Sequence, residues 1–158
     1  MSFAIRVLVE KDIPHILEMI REFADSVKLS DYCEVTEERL QTALFHETAV
    51  AEAIVAVENK TPIAYAIFYP NFLSFRGQRG FYLEDIYLKA EFRRQNLGEK
   101  MIRFIAKIGK SRGFERIDFQ VLESNESAIN FYKKLGAVVD NTERHFKFTD
   151  EAFQNLTL

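Results

Sequence analysis

The chain of 158 residues contains no tryptophan, a single cysteine, three prolines, three histidines and six glycines. One cysteine, Cys33, rules out an internal disulfide and any cysteine-rich metal site. Its neighbours Asp31, Tyr32 and Glu34 carry no positive charge that would hold a thiolate, so Cys33 does not read as a nucleophile. His15, His46 and His145 lack the spacing of metal ligands, and no metal is expected. No apolar run approaches the ~20 residues that a membrane span requires, so no membrane partner is expected. Met1–Arg6 shows no basic stretch leading into a long apolar segment. No signal peptide is expected, and the location is read as cytoplasmic. A net charge of −3 argues against nucleic acid as a partner.

What remains is an ordinary globular composition, 47% hydrophobic and 28% charged, without a linker, repeat or low-complexity tract. Residues 1–158 are read as one mixed α/β domain, large enough to bury its own core. Phe3–Val9 alternates as a first strand. Asp12 reads as an N-cap with Pro14 in the first turn, and Ile13, Ile16, Leu17, Ile20 and Phe23 form one helical face. Lys28–Val35 is loop-like, and Thr36 caps a short helix through Leu40 and Leu44. Val50–Glu58 and Pro62–Tyr69 are β-rich runs joined by a hairpin at Asn59-Lys60-Thr61. Pro70–Gly80 reads as a loop and Phe81–Leu88 as a strand. Leu97, Met101, Ile105 and Ile108 line the next helix, which Gly113 ends. Arg116–Leu122 follows as a strand, and Ser124–Leu135 as a helix with Gly136 after it. Ala137–Asp140 and Arg144–Phe148 are expected as two closing strands.

Two places carry chemistry. Phe92-Arg93-Arg94-Gln95-Asn96-Leu97-Gly98 joins a strand to an amphipathic helix that continues through Glu99. A basic turn at a helix N-terminus presents unsatisfied N–H donors to an anion such as a pyrophosphate. Asn96 suits a left-handed backbone position there. The second place is Glu84-Asp85, two carboxylates interrupting an apolar strand. A carboxylate there costs desolvation unless it is wet, paired or functional. Strand alternation sends the two side chains to opposite faces, so only one is expected to face a given cleft.

The order strand, Arg93-x-x-Asn96-x-Gly98, long helix, strand, then Asn125-x5-Phe131-Tyr132-x3-Gly136-Ala137 resembles the GCN5-related N-acetyltransferases. Tyr82-Leu83-Glu84-Asp85 through Phe131-Tyr132-Lys133 looks most like their diamine (spermidine/spermine) branch. The resemblance implies a mostly antiparallel twisted sheet of six to seven strands flanked by helices. Within it, the parallel pair ending at Leu88 and beginning at Arg116 splays to hold the cofactor. It implies acetyl-CoA as cosubstrate and a homodimer. Arg93, Arg94, Gln95, Asn96, Leu97, Gly98 and Glu99 are then expected to wrap the pyrophosphate. Ile86, Tyr87 and Leu88 would bind the pantetheine arm through their backbone. Asn125, Ser127, Ala128 and Lys133 would touch the cofactor from the later helix.

The same resemblance implies that Tyr132 protonates the departing thiolate and that Glu84 acts on the acceptor amine as binder and base. Asp85 is the second acceptor-side carboxylate. Ser26 and Val27 occupy the place where the diamine branch carries a Tyr-Glu pair facing the polyamine. The favoured reading is acetyl transfer to a small cationic amine, by direct attack in a ternary complex. A protein N-terminal or lysine acetyltransferase and a non-catalytic CoA-binding sensor stand as alternatives.

Overall fold

The computed structural model describes residues 2–158. The chain packs as two units, one ending at Asn125 and the other running from Glu126 to Leu158. The first unit is built on a sheet whose spatial order follows the chain: β1 (Ala4–Val7), β2 (Glu52–Glu58), β3 (Thr61–Leu73), β4 (Gln78–Leu88) and β5 (Arg116–Phe119). The first four strands pair antiparallel, and β5 joins β4 in parallel. A parallel neighbour needs a crossover, which α3 (Leu97–Ser111) supplies. The remaining helices of this unit are α1 (Ile13–Ser26) and α2 (Glu37–Phe45).

The sheet separates two apolar clusters. On one face α3 lays Leu97, Met101 and Ile105 over Ala64, Ala66, Phe68, Phe81 and Leu83. On the other, α1 and α2 set Ile13, Ile16, Leu17, Met19 and Leu40 over Val55, Tyr65 and Tyr87. Met101 and Ile105 are fully buried, each worth about 1.5–3 kcal/mol relative to exposure.

Local chemistry explains the element boundaries. Asn59 and Lys60 both take positive φ, 48° and 68°, which is the twist a two-residue hairpin needs. Thr36 accepts a hydrogen bond from the Arg39 amide at 3.2 Å and caps α2. At the end of α3, Phe114 N–H bonds Gly109 O and Gly113 N–H bonds Lys110 O, a Schellman closure with Gly113 at φ +75°. Gly80 opens the β4–β5 ladder. A Cβ there would lie 2.6 Å from the Arg116 carbonyl oxygen, so only glycine permits this approach.

The segment expected as a loop, Pro70–Gly80, is mostly ladder. β3 continues to Leu73, β4 starts at Gln78, and only Ser74–Gly77 turns. Pro70 lies where β3 has outrun β2, whose last partner is Phe68, so its missing N–H breaks no pairing on that side.

The second unit contains α4 (Glu126–Lys134) and α5 (Asp150–Asn155). A second Schellman closure ends α4, with Ala137 N–H on Tyr132 O, Gly136 N–H on Lys133 O and Gly136 at φ +95°. The expected closing strands Ala137–Asp140 and Arg144–Phe148 do not form. The described residues hold five strands, not six to seven. The apolar alternation is present, but no ladder takes it up: Val138, Phe146 and Phe148 are 91%, 85% and 67% exposed. Between the two stretches Asp140 Oδ1 accepts from the Thr142 amide and hydroxyl at 2.9 and 2.6 Å, fixing an Asx turn.

Asp12 is the buried charged residue of the core. It takes two bonds from Arg6 at 2.7 and 2.9 Å and one from the Val9 amide at 3.0 Å, tying β1 to the start of α1. Burial pushes its carboxyl up, but the Arg6 and Val9 bonds outweigh this and bring it below the ordinary value. A lowered folded value contributes stability that is present above about pH 4 and is lost as pH falls through it. Asp12→Ala is therefore expected to lose about 2–3 kcal/mol at pH 7, read as a lower urea midpoint at unchanged slope. The gap to the parent protein should close below pH 4.

Candidate active site

The position of the site follows from one irregularity in β4. Ile67 on β3 faces Asp85, and the next residue, Phe68, faces Leu83. Glu84 is thus the extra residue of a β-bulge. Side chains that alternated before it change phase after it. Phe81 and Leu83 point to the α3 cluster, and so do Ile86 and Leu88, while Tyr87 joins the α1–α2 cluster. Glu84 and Asp85 consequently share a face, contrary to plain alternation. Their partners confirm it: Tyr65 Oη donates to Asp85 Oδ2 and Tyr69 Oη to Glu84 Oε2, each at 3.3 Å. Tyr65 and Tyr69 stand four residues apart on β3, hence on one face.

The two carboxylates sit in different surroundings. Glu84 is exposed, and Asp85 is half-buried. Burial, and then the charge of Glu84, push the Asp85 carboxyl up to about 6, against the pull of the Tyr65 bond. Burial above all, reinforced by Asp85, raises the Tyr65 phenol well above its usual value, so it remains a donor.

The α1 side of this face contributes a residue that sequence reasoning missed. Glu22 accepts from Tyr87 Oη at 3.1 Å and from Lys89 Nζ at 3.2 Å, with Glu18 3.7 Å from the same ammonium. The one-turn spacing of Glu18 and Glu22 on α1 was the available signal. Ser26, by contrast, donates to Phe23 O at 2.7 Å, and Val27 caps the helix end.

The β4–β5 ladder closes at Leu83–Phe119, while β4 runs on through Glu84, Asp85, Ile86, Tyr87 and Leu88. A parallel pair that separates at its carboxyl end opens a crevice of the kind that α/β sheets use for ligands. The loop into α3 follows directly. Arg93 Nε donates to Leu88 O at 3.1 Å and its guanidinium lies 5.4 Å from the Tyr87 ring centre. Gln95 Nε2 donates to Glu91 O at 3.2 Å. Arg94 and Asn96 are left-handed at φ 62° and 58°, and Asn96 caps the helix without a side-chain bond. Leu97 and Gly98 are buried, whereas Glu99 reaches Arg103 at 2.8 Å.

Tyr132, Ser127, Ala128 and Lys133 belong to α4 in the second unit. Tyr132 is half-buried there, its ring 5.1 Å from that of Phe131 at 61°. Asn125 immediately precedes α4 and ends the first unit. Among the described residues no group of three His, Cys, Asp or Glu could hold a metal ion.

A helix N-terminus entered through left-handed residues thus follows the open end of a parallel strand pair, on the strand whose bulge carries two carboxylates. The chain matches the acetyltransferase (GNAT) family over residues 16–137. It is 36% identical over 164 residues to a thialysine N-epsilon-acetyltransferase of Bos taurus, covering 96% of this chain and 95% of that one. An L-ornithine N5-acetyltransferase of Arabidopsis thaliana is 36% identical over 90 residues, 57% of this chain and 40% of that one. Among solved structures, an integron cassette protein from the mobile metagenome of V. cholerae superposes with a TM-score of 0.78 at 22% identity, covering 99% and 98% of the two chains. The chain belongs to the GNAT acetyltransferase family and is an acyltransferase.

The Asp85 environment makes a testable demand. Its folded value lies above the unfolded one, so its contribution to stability is favourable below about pH 4 and is lost as pH rises through 6. Asp85→Asn keeps the Tyr65 bond without the charge. It should be more stable than the parent at pH 8 by about 2 kcal/mol, with the difference fading toward pH 4 in urea titrations.

Proposed function

We propose that the protein moves an acetyl group from acetyl-CoA to the primary amine of a small cationic acceptor of the diamine, polyamine or lysine-like kind. The observation that carries this reading is the bulge that turns Glu84 and Asp85 to one face. Two adjacent carboxylates there form a ready counter-charge for an ammonium group. The names of the relatives support the same class, since thialysine and ornithine both carry a terminal primary amine.

The residues fit the cosubstrate. The first amides of α3 have no intrahelical acceptor, and the left-handed turn at Arg94 and Asn96 leads into them, which suits a pyrophosphate. The β4 stretch from Ile86 to Leu88, beyond the end of the β5 ladder, offers backbone groups to an amide-bearing arm. Acetyl-CoA, when bound, supplies the activated acetyl thioester.

The chain's own groups then divide the proton work. Glu84 takes a proton from the acceptor ammonium, directly or through water, because only the neutral amine is nucleophilic. Asp85 holds positive charge on the acceptor side. The amine nitrogen bonds the acetyl carbon as the carbon–sulfur bond breaks, Tyr132 Oη gives its proton to the departing sulfur, and the surplus proton on the new amide nitrogen passes through water to the Tyr132 phenolate. No acyl-enzyme forms in this scheme.

The test is thioester consumption against putrescine, spermidine, spermine, lysine, thialysine, ornithine and short peptides. Turnover on free amines is expected, and Tyr132→Phe should lower kcat by roughly 10²-fold with little change in cosubstrate affinity. Activity on peptides alone would replace the small-amine reading. A Tyr132→Phe enzyme with unchanged kcat would return Tyr132 to packing.

A further inference from the structure

The Glu84 carboxylate sits at the surface of a bulge, where neither strand pairing nor burial fixes its rotamer. A base that wanders through several rotamers spends most of its time out of line with the proton it must take. The side chain that reaches it comes from the neighbouring strand. Tyr69 Oη lies 3.3 Å from Glu84 Oε2. The Tyr69 ring is itself held by its cross-strand partner Tyr82, stacked at 5.3 Å and 27°. The phenol thus stands on a rigid support and points its proton at one carboxylate oxygen, leaving the other for the acceptor.

We propose that Tyr69 is a positioning residue: stacked on Tyr82, its hydroxyl holds the Glu84 carboxylate in the orientation from which it acts on the acceptor amine. This rests on the reading of Glu84 as base. Tyr65, four residues earlier on the same face of β3 and buried, makes the same bond to Asp85, so two phenols each secure one carboxylate. The Tyr69 phenol is pushed up to about 12, by burial first and then by the Glu84 charge, Tyr82 and the Glu84 hydrogen bond. It is therefore a donor throughout the pH range of the enzyme.

The experiment combines a spectrum with a mutant cycle. In protein carrying 13C at tyrosine Cζ, Tyr69 should titrate near 12, and nearer the ordinary value of about 10 in Glu84→Gln. A Tyr69 titration that Glu84→Gln leaves in place overturns the contact. In kinetics, Tyr69→Phe should lower kcat roughly tenfold, with the acetyl-CoA KM unchanged. Added to Glu84→Gln it should cost less than about twofold more, because the group it positions is gone. Equal losses in both backgrounds would show a general structural role and overturn the proposal. Full activity in Tyr69→Phe beside an inactive Glu84→Gln would overturn positioning alone. Full activity in Glu84→Gln would remove the base reading itself, a failure visible without Tyr69.

Discussion

One inserted residue governs the active face. Without the bulge, Asp85 would keep the phase of Leu83 and point into the α3 cluster, an ionisable group among Phe68, Phe81 and Met101. The bulge restores apolar side chains to both cores. Ile86 and Leu88 return to the α3 side, Tyr87 packs against Phe23 on the other, and the two carboxylates are left together between them. The cost is a pair of like charges side by side. Tyr65 and Tyr69 offset it with one donor each, and both phenols are kept protonated by burial first and by the neighbouring carboxylate second.

The same strand sets the crevice beside α3. Because β5 stops pairing at Phe119, the last five residues of β4 keep one edge outside the ladder, and the chain turns from Leu88 straight into the α3 loop. Arg93 fastens that loop by returning its Nε to the Leu88 carbonyl and laying its guanidinium over Tyr87. The neighbouring arginine plays a different part. Arg94 is exposed and left-handed, beside the helix start rather than against the strand. Tyr87 links the two halves of the face, since its hydroxyl goes to Glu22 on α1 while its ring carries Arg93.

Much of this was legible in the residues. Asn96 at a left-handed position, the Asn59-Lys60 hairpin, the Thr36 cap and the glycines at 113 and 136 all follow from local backbone chemistry. The bulge was legible as well, but through a pattern that strict alternation hides. Apolar side chains at 81, 83, 86 and 88 slip phase between 83 and 86, where Glu84 and Asp85 sit. Two other readings failed for tertiary reasons. Pro70–Gly80 has the composition of a loop, yet β3 tolerates its proline where it has outrun β2 and pairs with β4 alone. The stretch from Ala137 to Phe148 has the composition of strands, yet without a ladder the pattern alone does not make one.

The acidic pair also bears on why an amine is the fitting ligand. Asp85 titrates near 6 because burial and Glu84 both oppose its charge. Near neutral pH the free protein therefore holds two carboxylates that destabilise one another across adjacent residues. A neutral or anionic acceptor would relieve none of this repulsion, and an anion would add to it. An ammonium placed between them would favour the doubly ionised state, and by linkage that state would favour the ammonium. At pH values below 6 the same ligand would have to expel a proton from Asp85 to gain the second charge. On the proposed reading, the electrostatic cost built into the bulge would be offset when an ammonium binds.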